Sequence, residues 1–161
     1  MYQVFLDKIL LPIAPETINM TVNNQNETVN LINDGEVNIL KSPALTDISF
    51  DFLLPNQHYP FASYSAGFIS SWVILYRLKA LKENKKPFQL IIVRLVGNDP
   101  FSVKSIGGSA FTNITVTIED YNVNESVEYG QDVMVSINLK EYKPYKTKKY
   151  DLNGNEVKVR K

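Results

Sequence analysis

Alternation of apolar and polar side chains is the feature that most constrains this chain. In the strongest run, Val133, Val135, Ile137 and Leu139 alternate with Met134, Ser136, Asn138 and Lys140. Similar alternation occurs at 2–6, 17–22, 47–52 and 114–119. Successive side chains of a β-strand point to opposite faces, so each run predicts a strand with one face in a core and the other in water.

A β-hairpin is predicted in the first third of the chain. Two apolar runs, 29–32 and 37–40, flank Asn33, Asp34 and Gly35. These turn residues tolerate the positive φ angles that a connection between two antiparallel strands often needs.

The segment from Phe68 to Glu83 predicts a helix that ends before Pro87. One broad apolar face is predicted to pack on the core; it contains Phe68, Trp72, Leu75 and Leu78, with Ile74 and Leu81 at its edge. Ile69, Val73 and Tyr76 form a second apolar strip. This strip has two explanations, burial between the sheet and loops or contact with another subunit.

The remaining segments complete a mainly β prediction. Residues 2–13 predict one opening strand, and the nearly unbroken apolar run 88–96 predicts a central strand buried on both faces. Residues 120–125 and 130–132 are interpreted as connections. About eight strand-like segments with one helix favour an antiparallel β-sandwich or partly open barrel with one packed α-helix.

The length of 161 residues fits one domain, expected at 1–145, followed by a basic C-terminal extension or small hairpin at 146–161. The chain has 17 basic and 17 acidic residues, so no net field favours nucleic acid. It contains no cysteine, and no secretory leader or membrane-length apolar run is evident. An intracellular protein without membrane insertion or nucleic-acid specificity is expected.

The sequence predicts no catalytic residue, cofactor or metal site. His58 is the single histidine, and no serine partner is suggested for it. Asp47 and Asp51 would lie about 13 Å apart on one strand face, farther than paired glycosidase carboxylates. Gly107 and Gly108 lack the spacing of a phosphate-binding loop.

Several stretches resemble the N-terminal domain of phage baseplate proteins that contain a LysM domain. The similarity covers roughly residues 4–145. It rests on the run from 29 to 61, the following helix with Lys-Lys-Pro-Phe at 85–88, Glu-Asp-Tyr at 119–121 and Leu-Lys-Glu-Tyr at 139–142. Those proteins are grouped with the tube-like proteins of contractile injection systems: phage tails, defective prophages and tail-like bacteriocins.

The resemblance implies a ring-shaped adaptor, hexameric in the particle, between the tail tube and the baseplate hub. Its partners would be the tail tube protein and the hub and wedge proteins, with assembly in the bacterial cytoplasm and a final place in a virion or tail-like particle. A LysM domain is not recognised in this sequence, so peptidoglycan binding is not carried over. The alternatives are the tail tube protein itself and a carbohydrate-binding β-sandwich module.

Ring proteins of this kind join neighbours through strand edges and loops. The predicted assembly contacts lie at the hairpin tip, on the second strip of the helix and in the loop 97–110. They are Asn33, Asp34, Gly35, Ile69, Val73, Tyr76, Gly107 and Gly108.

Overall fold

A computed structural model describes residues 2–32, 35–64, 67–94 and 111–145, and the backbone of 149–150 and 156–157. The strands are β1 (Tyr2–Leu6), β2 (Ile9–Leu10), β3 (Ile18–Thr21), β4 (Glu27–Leu31), β5 (Gly35–Ile39), β6 (Asp47–Leu54), β7 (Phe88–Arg94), β8 (Phe111–Glu125), β9 (Val133–Glu141), β10 (Lys149–Tyr150) and β11 (Glu156–Val157), with helix α1 at Ser71–Glu83. Seven strands form one antiparallel sheet in the order β2-β1-β7-β8-β9-β6-β3, and β4-β5 and β10-β11 form separate pairs.

The alternating sequence pattern becomes one buried face of the sheet. Each of β6 and β9 contributes four buried apolar side chains at every second position: Ile48, Phe50, Phe52 and Leu54, and Val133, Val135, Ile137 and Leu139. Ile74 and Leu78 of α1 join the same core. The predicted mainly β, antiparallel fold with a packed helix is confirmed.

The sheet curves so that its two ends approach each other. A groove of about 320 Å³ is lined by Tyr2, Ile92 and Arg94 of β1 and β7 and by Ile18 and Met20 of β3. These strands are far apart in the strand order, so their meeting across one groove requires a sheet rolled around its apolar face. The architecture is therefore a partly open barrel with α1 packed on its core.

A β-bulge in β8 corrects the prediction that residues 120–125 only connect strands. The pairing of β8 with β9 runs through Ile118–Leu139 and resumes at Asp120–Asn138, which leaves Glu119 as an extra residue. The strand then continues to Glu125. The polar residues of this segment had favoured a loop, but backbone pairing with β9 overrides that local preference.

The bulge also decides which side chains of β8 enter the core. Tyr121 pairs with Ile137 beyond the bulge, and directly paired residues share a face. Tyr121 consequently packs against the core, and the ammonium group of Lys82 on α1 lies 5.5 Å from the centroid of its ring. Without the extra residue, strict alternation from Ile118 would have directed Asp120 inward.

Two further predictions differ from the structure. The opening segment forms two strands, because Asp7 adopts a positive φ of 56° and β2 folds back on β1. In β7, Phe88, Leu90 and Ile92 are buried, whereas alternate residues such as Ile91 are half-buried. An antiparallel sheet can cover one face and leave the other open, so a continuous apolar run did not require two covered faces.

Candidate assembly surfaces

The β4-β5 hairpin extends from the sheet as a two-stranded arm, defined here as residues 23–44. Next to the sheet, the N–H of Ala44 donates to the carbonyl of Asn23 at 2.7 Å, and Asn24 bridges Pro43. The arm therefore continues the β3-β6 pair beyond the barrel. At about 3.3 Å per residue, ten residues on each side reach about 30 Å.

One face of the arm is apolar and uncovered. The register pairs Val29 with Val37 and Glu27 with Ile39. Val29, Leu31, Val37 and Ile39, defined here as the apolar arm face, share one side of the arm with Glu27, while Thr28, Asn30, Glu36 and Asn38 lie on the opposite side. Leu31, Val37 and Ile39 are 43–45% exposed. In the described part of the chain, the arm packs extensively only against itself.

Such a hairpin is expected to need a partner. An isolated two-stranded hairpin is marginally stable in water, and apolar side chains at alternate positions gain stability only when another surface covers them. The apolar arm face therefore has the properties of a contact surface.

A second uncovered apolar surface lies on α1. Trp72 is 67% exposed and Tyr76 70% exposed, and Val73 is exposed beside them. These three residues are defined here as the outer helix face. On the opposite side, Ile74 and Leu78 are buried in the core. A helix that is apolar on both sides is typical of one that is covered on both sides.

The position of Trp72 corrects the predicted core face of the helix. At about 100° per residue, Trp72 lies roughly 160° from Ile74 and 40° from Tyr76. The Trp72-Leu75-Leu78 spacing suggested one broad face, but only its Leu75–Leu78 side packs inward. The ordered helix also begins at Ser71, three residues later than Phe68.

The predicted contact residues fall into three groups. Val73 and Tyr76 are on the outer helix face, and Gly35 is exposed at the arm tip with φ of +78°. Ile69 is half-buried and packs against the core. Asn33, Asp34, Gly107 and Gly108, with the loop 97–110, lie outside the described residues.

A hydrogen-bonded cluster fixes the N-terminus of α1. Ser70 does not cap the helix with its side chain; instead, the side-chain amide oxygen Oδ1 of Asn56 accepts from the hydroxyl of Ser70 at 3.0 Å and from that of Ser71 at 2.6 Å. The N–H of Asn56 donates to the buried Asp132 carboxylate at 2.9 Å, and the Tyr59 hydroxyl donates to it at 2.7 Å. This cluster orients the outer helix face relative to the sheet.

A carboxylate fixes the base of the arm. Glu141 Oε2 accepts from the N–H of Thr46 at 3.0 Å and from its hydroxyl at 2.7 Å. Thr46 is buried where the arm returns to β6. The Thr46 N–H and hydroxyl lower the pKa of Glu141, burial opposes them, and Lys143 at 3.2 Å adds to the lowering. The ionised carboxylate is therefore the form that anchors the arm.

A groove of about 840 Å³ lies between the start of α1 and the β8-β9 connection. Trp72 and Val127 are on its rim, and Val127 is 98% exposed. Polar lining groups from Asn56 and Asp132 are already hydrogen bonded within the cluster that holds α1. The groove thus has exposed apolar side chains at its rim, and the polar groups of Asn56 and Asp132 that line it are hydrogen bonded to other groups of the protein.

The described residues contain no group of three or more His, Cys, Asp or Glu side chains placed to hold a metal ion. His58 is exposed, and its ring stacks on Tyr64 with 5.1 Å between centroids. Within the ranges that the structure describes, no helix has the length and apolar character needed to cross a membrane.

Comparison with known proteins found similarities both in sequence and in structure. No protein-family model matches the chain. It is 31% identical over 137 residues to the uncharacterized protein YqbP of Bacillus subtilis (strain 168), which covers 85% of this chain and 55% of YqbP. The chain thus spans about half the length of this curated relative.

The second similarity is structural. A hybrid solid-state NMR and cryo-EM structure of the SPP1 tail tube aligns with a TM-score of 0.52 and 14% identity, covering 87% of this chain and 71% of that one. The alignment includes most of the present fold. The chain has a tail-tube-like fold.

Proposed function

We propose that this protein is a structural subunit of a phage tail or tail-like particle, and that it forms a ring adaptor between the tail tube and the baseplate hub. The main support is the combination of a tail-tube-like fold with two uncovered apolar surfaces, the apolar arm face and the outer helix face. A subunit that assembles with identical neighbours needs such surfaces, whereas a monomer gains nothing from exposing them.

The adaptor assignment within the tail rests on the sequence resemblance to the baseplate family. In that role, copies form a hexameric ring that contacts the tail tube protein on one side and the hub and wedge proteins on the other. In this proposal the protein catalyses no reaction. Its surfaces bind neighbouring subunits through complementary shape.

Quantitative mass spectrometry of purified tail-like particles tests the adaptor role by counting this chain against the tube subunit. About six copies per particle, one hexameric ring, are expected. Dozens of rings would instead identify the tail tube protein, an alternative favoured by the likeness to the SPP1 tail tube. Absence from the particles would overturn both assignments.

A carbohydrate-binding module is a second candidate, favoured by the exposed Trp72 on the rim of the large groove. Aromatic rings commonly supply the apolar surface on which sugar rings pack. Retention of the protein on a polysaccharide resin, lost in Trp72→Ser and kept in Tyr145→Ser, would support this function. Tyr145 is 91% exposed and outside the groove lining, so it is a matched control.

A further inference from the structure

We infer that the arms of neighbouring copies pair edge to edge, with β5 of one copy hydrogen bonded to β4 of the next. This inference rests on the proposed function, because it describes how identical subunits join within a ring. It adds the two strands that meet and the kind of bond that joins them.

Both outer edges of the arm are open in the single chain. In the part of the molecule that the structure describes, β4 pairs only with β5, and β5 pairs only with β4. Every second residue of an antiparallel strand directs its N–H and C=O away from a given neighbour. Each arm strand therefore presents a row of outward backbone groups, which water or another extended strand can satisfy.

The two edges lack the usual features that prevent strand pairing. Neither β4 nor β5 contains a proline or a lysine, and their register is regular from the Glu27–Ile39 pair to the Leu31–Gly35 pair. By contrast, β2 at the end of the large sheet has two residues and is followed after one residue by Pro12. Natural proteins protect exposed edges with prolines, lysines, bulges or very short strands, so the unprotected arm edges favour a paired state.

A second copy of the chain supplies the matching edge. The two arm strands run in opposite directions, so β5 of one hairpin beside β4 of an identical hairpin continues the antiparallel order with both arms pointing the same way. Contact between two different edges of identical subunits is heterologous, as a ring of more than two copies requires. When the ring closes, each hairpin lies between two others and no arm edge stays open.

The side chains of the arm are compatible with this pairing. Directly opposed residues of adjacent strands lie on the same face of a sheet. Glu27 of β4 and Glu36 of β5 lie on opposite faces, so no regular register places one carboxylate against the other. The apolar arm faces of neighbouring copies then form one continuous strip, in which aliphatic side chains pair across the new contact.

Single-cysteine variants of the full chain test this pairing, because the sequence contains no cysteine that would react in the background. Thr28→Cys in β4 is co-expressed with Asn38→Cys in β5, and the purified protein and isolated particles are treated with a short bis-maleimide cross-linker. Both positions lie on the polar side of the arm, and each variant has one thiol, so a 28–38 link joins two copies.

The matched control replaces Asn38→Cys with Val37→Cys, the preceding residue, on the apolar arm face. Thermal unfolding of each variant verifies that it folds. The expected result is a 28–38 dimer at least several-fold more abundant than the 28–37 dimer. Equal yields of the two dimers would overturn the inference. Predominant 28–28 or 38–38 links, which pairing of like edges would produce, would also overturn it, as would links only to a different protein.

Hydrogen exchange gives a second measurement that does not depend on the cross-linker. Edge pairing protects the outward amides of β4 and β5 in assembled protein, whereas a contact through the apolar arm face alone leaves those amides open. Exchange slower by at least about tenfold than in the monomer is expected at alternate residues of both strands. Unchanged exchange of these amides on assembly would contradict edge pairing.

Sedimentation of the untreated protein separates this inference from the proposed function. Copies that assemble, or that are found in particles, without a 28–38 link would overturn the edge pairing and leave the structural role in place. A chain that stays monomeric at every concentration and is absent from particles would overturn both.

Discussion

Strands β9 and β5 show how one sequence pattern can have two outcomes. Both strands alternate apolar and polar side chains, and both pair antiparallel with a neighbour. In β9, four apolar side chains are buried in the barrel core, whereas every residue of β5 is exposed. Alternation thus predicts which residues share a face, but the presence of a covering layer depends on where the strand lies in the fold.

The strongest test of this comparison applies one substitution to both regions. Val135→Ala should lower the free energy of unfolding by about 2–3 kcal/mol, since it leaves a cavity in the core. Val37→Ala on the arm should change it by less than about 0.5 kcal/mol in the monomer. Urea denaturation measures both, and equal losses would mean that the arm is covered within its own chain.

Deletions in β8 test the role of the bulge in setting the buried face. Removing Glu119 should change the free energy of unfolding by less than about 1 kcal/mol, because residues on both sides keep their partners and faces. Removing Asn122 should lower the free energy of unfolding by about 2 kcal/mol. The deletion shifts the pairing of β8 with β9 by one residue, which turns polar side chains toward the core. The same urea measurements apply, and similar losses would contradict the assigned register.

The anchor at the base of the arm should be sensitive to acid. The folded protein lowers the pKa of Glu141, so the anchor contributes fully above the ordinary carboxyl value of 4.5 and is lost as pH falls through the lower folded value. Glu141→Gln should therefore cost about 1–2 kcal/mol at pH 7 and progressively less on acidification below pH 4.5.

Thermal unfolding measured at a series of pH values would detect how the difference in stability between the wild-type protein and Glu141→Gln decreases on acidification. The matched control is Glu27→Gln, which removes a carboxylate that pairs with Lys41 on the exposed surface of the arm. It should change stability by less than about 0.5 kcal/mol. A constant difference between wild type and Glu141→Gln at all pH values would contradict the anchoring role of the ionised form.

The smallest effect is expected on the outer helix face. Tyr76→Ser should alter the monomer's free energy of unfolding by less than about 0.5 kcal/mol, because the ring is largely exposed. The matched substitution Ile74→Ser, on the buried side of the same helix, should cost several times more. Comparable losses would indicate that Tyr76 is covered in the isolated chain.

The sequence was most informative where side-chain periodicity and turn chemistry agree. The hairpin of the arm was predicted from its turn residues, and the strands β6 and β9 were predicted with their correct faces, since alternation is a direct geometric consequence of the extended backbone. Two outcomes were missed because nonlocal pairing decides them: the extension of β8 beyond Glu119 and the cover on only one side of β7. Trp72 could have been assigned to the outer helix face, because its four-residue spacing from Tyr76 places both side chains on the same side of a helix.

The cluster around Asp132 was also beyond a sequence-based prediction. Its groups come from Asn56, Tyr59 and the start of α1, which are far from residue 132 in the chain. No local motif marks such a cluster, because its hydrogen bonds exist only once the barrel has brought these segments together.

The continuity of the arm with β3 and β6 has a mechanical consequence. β6 is bonded to β9 along its whole length, from the Asp47–Lys140 pair to the Leu54–Val133 pair. A force that pulls the arm along its own axis therefore loads this ladder in shear, so many backbone hydrogen bonds share the load at the same time. An arm attached by a loop would transmit the same pull to one bond after another, whereas here tension passes directly into the wall of the barrel.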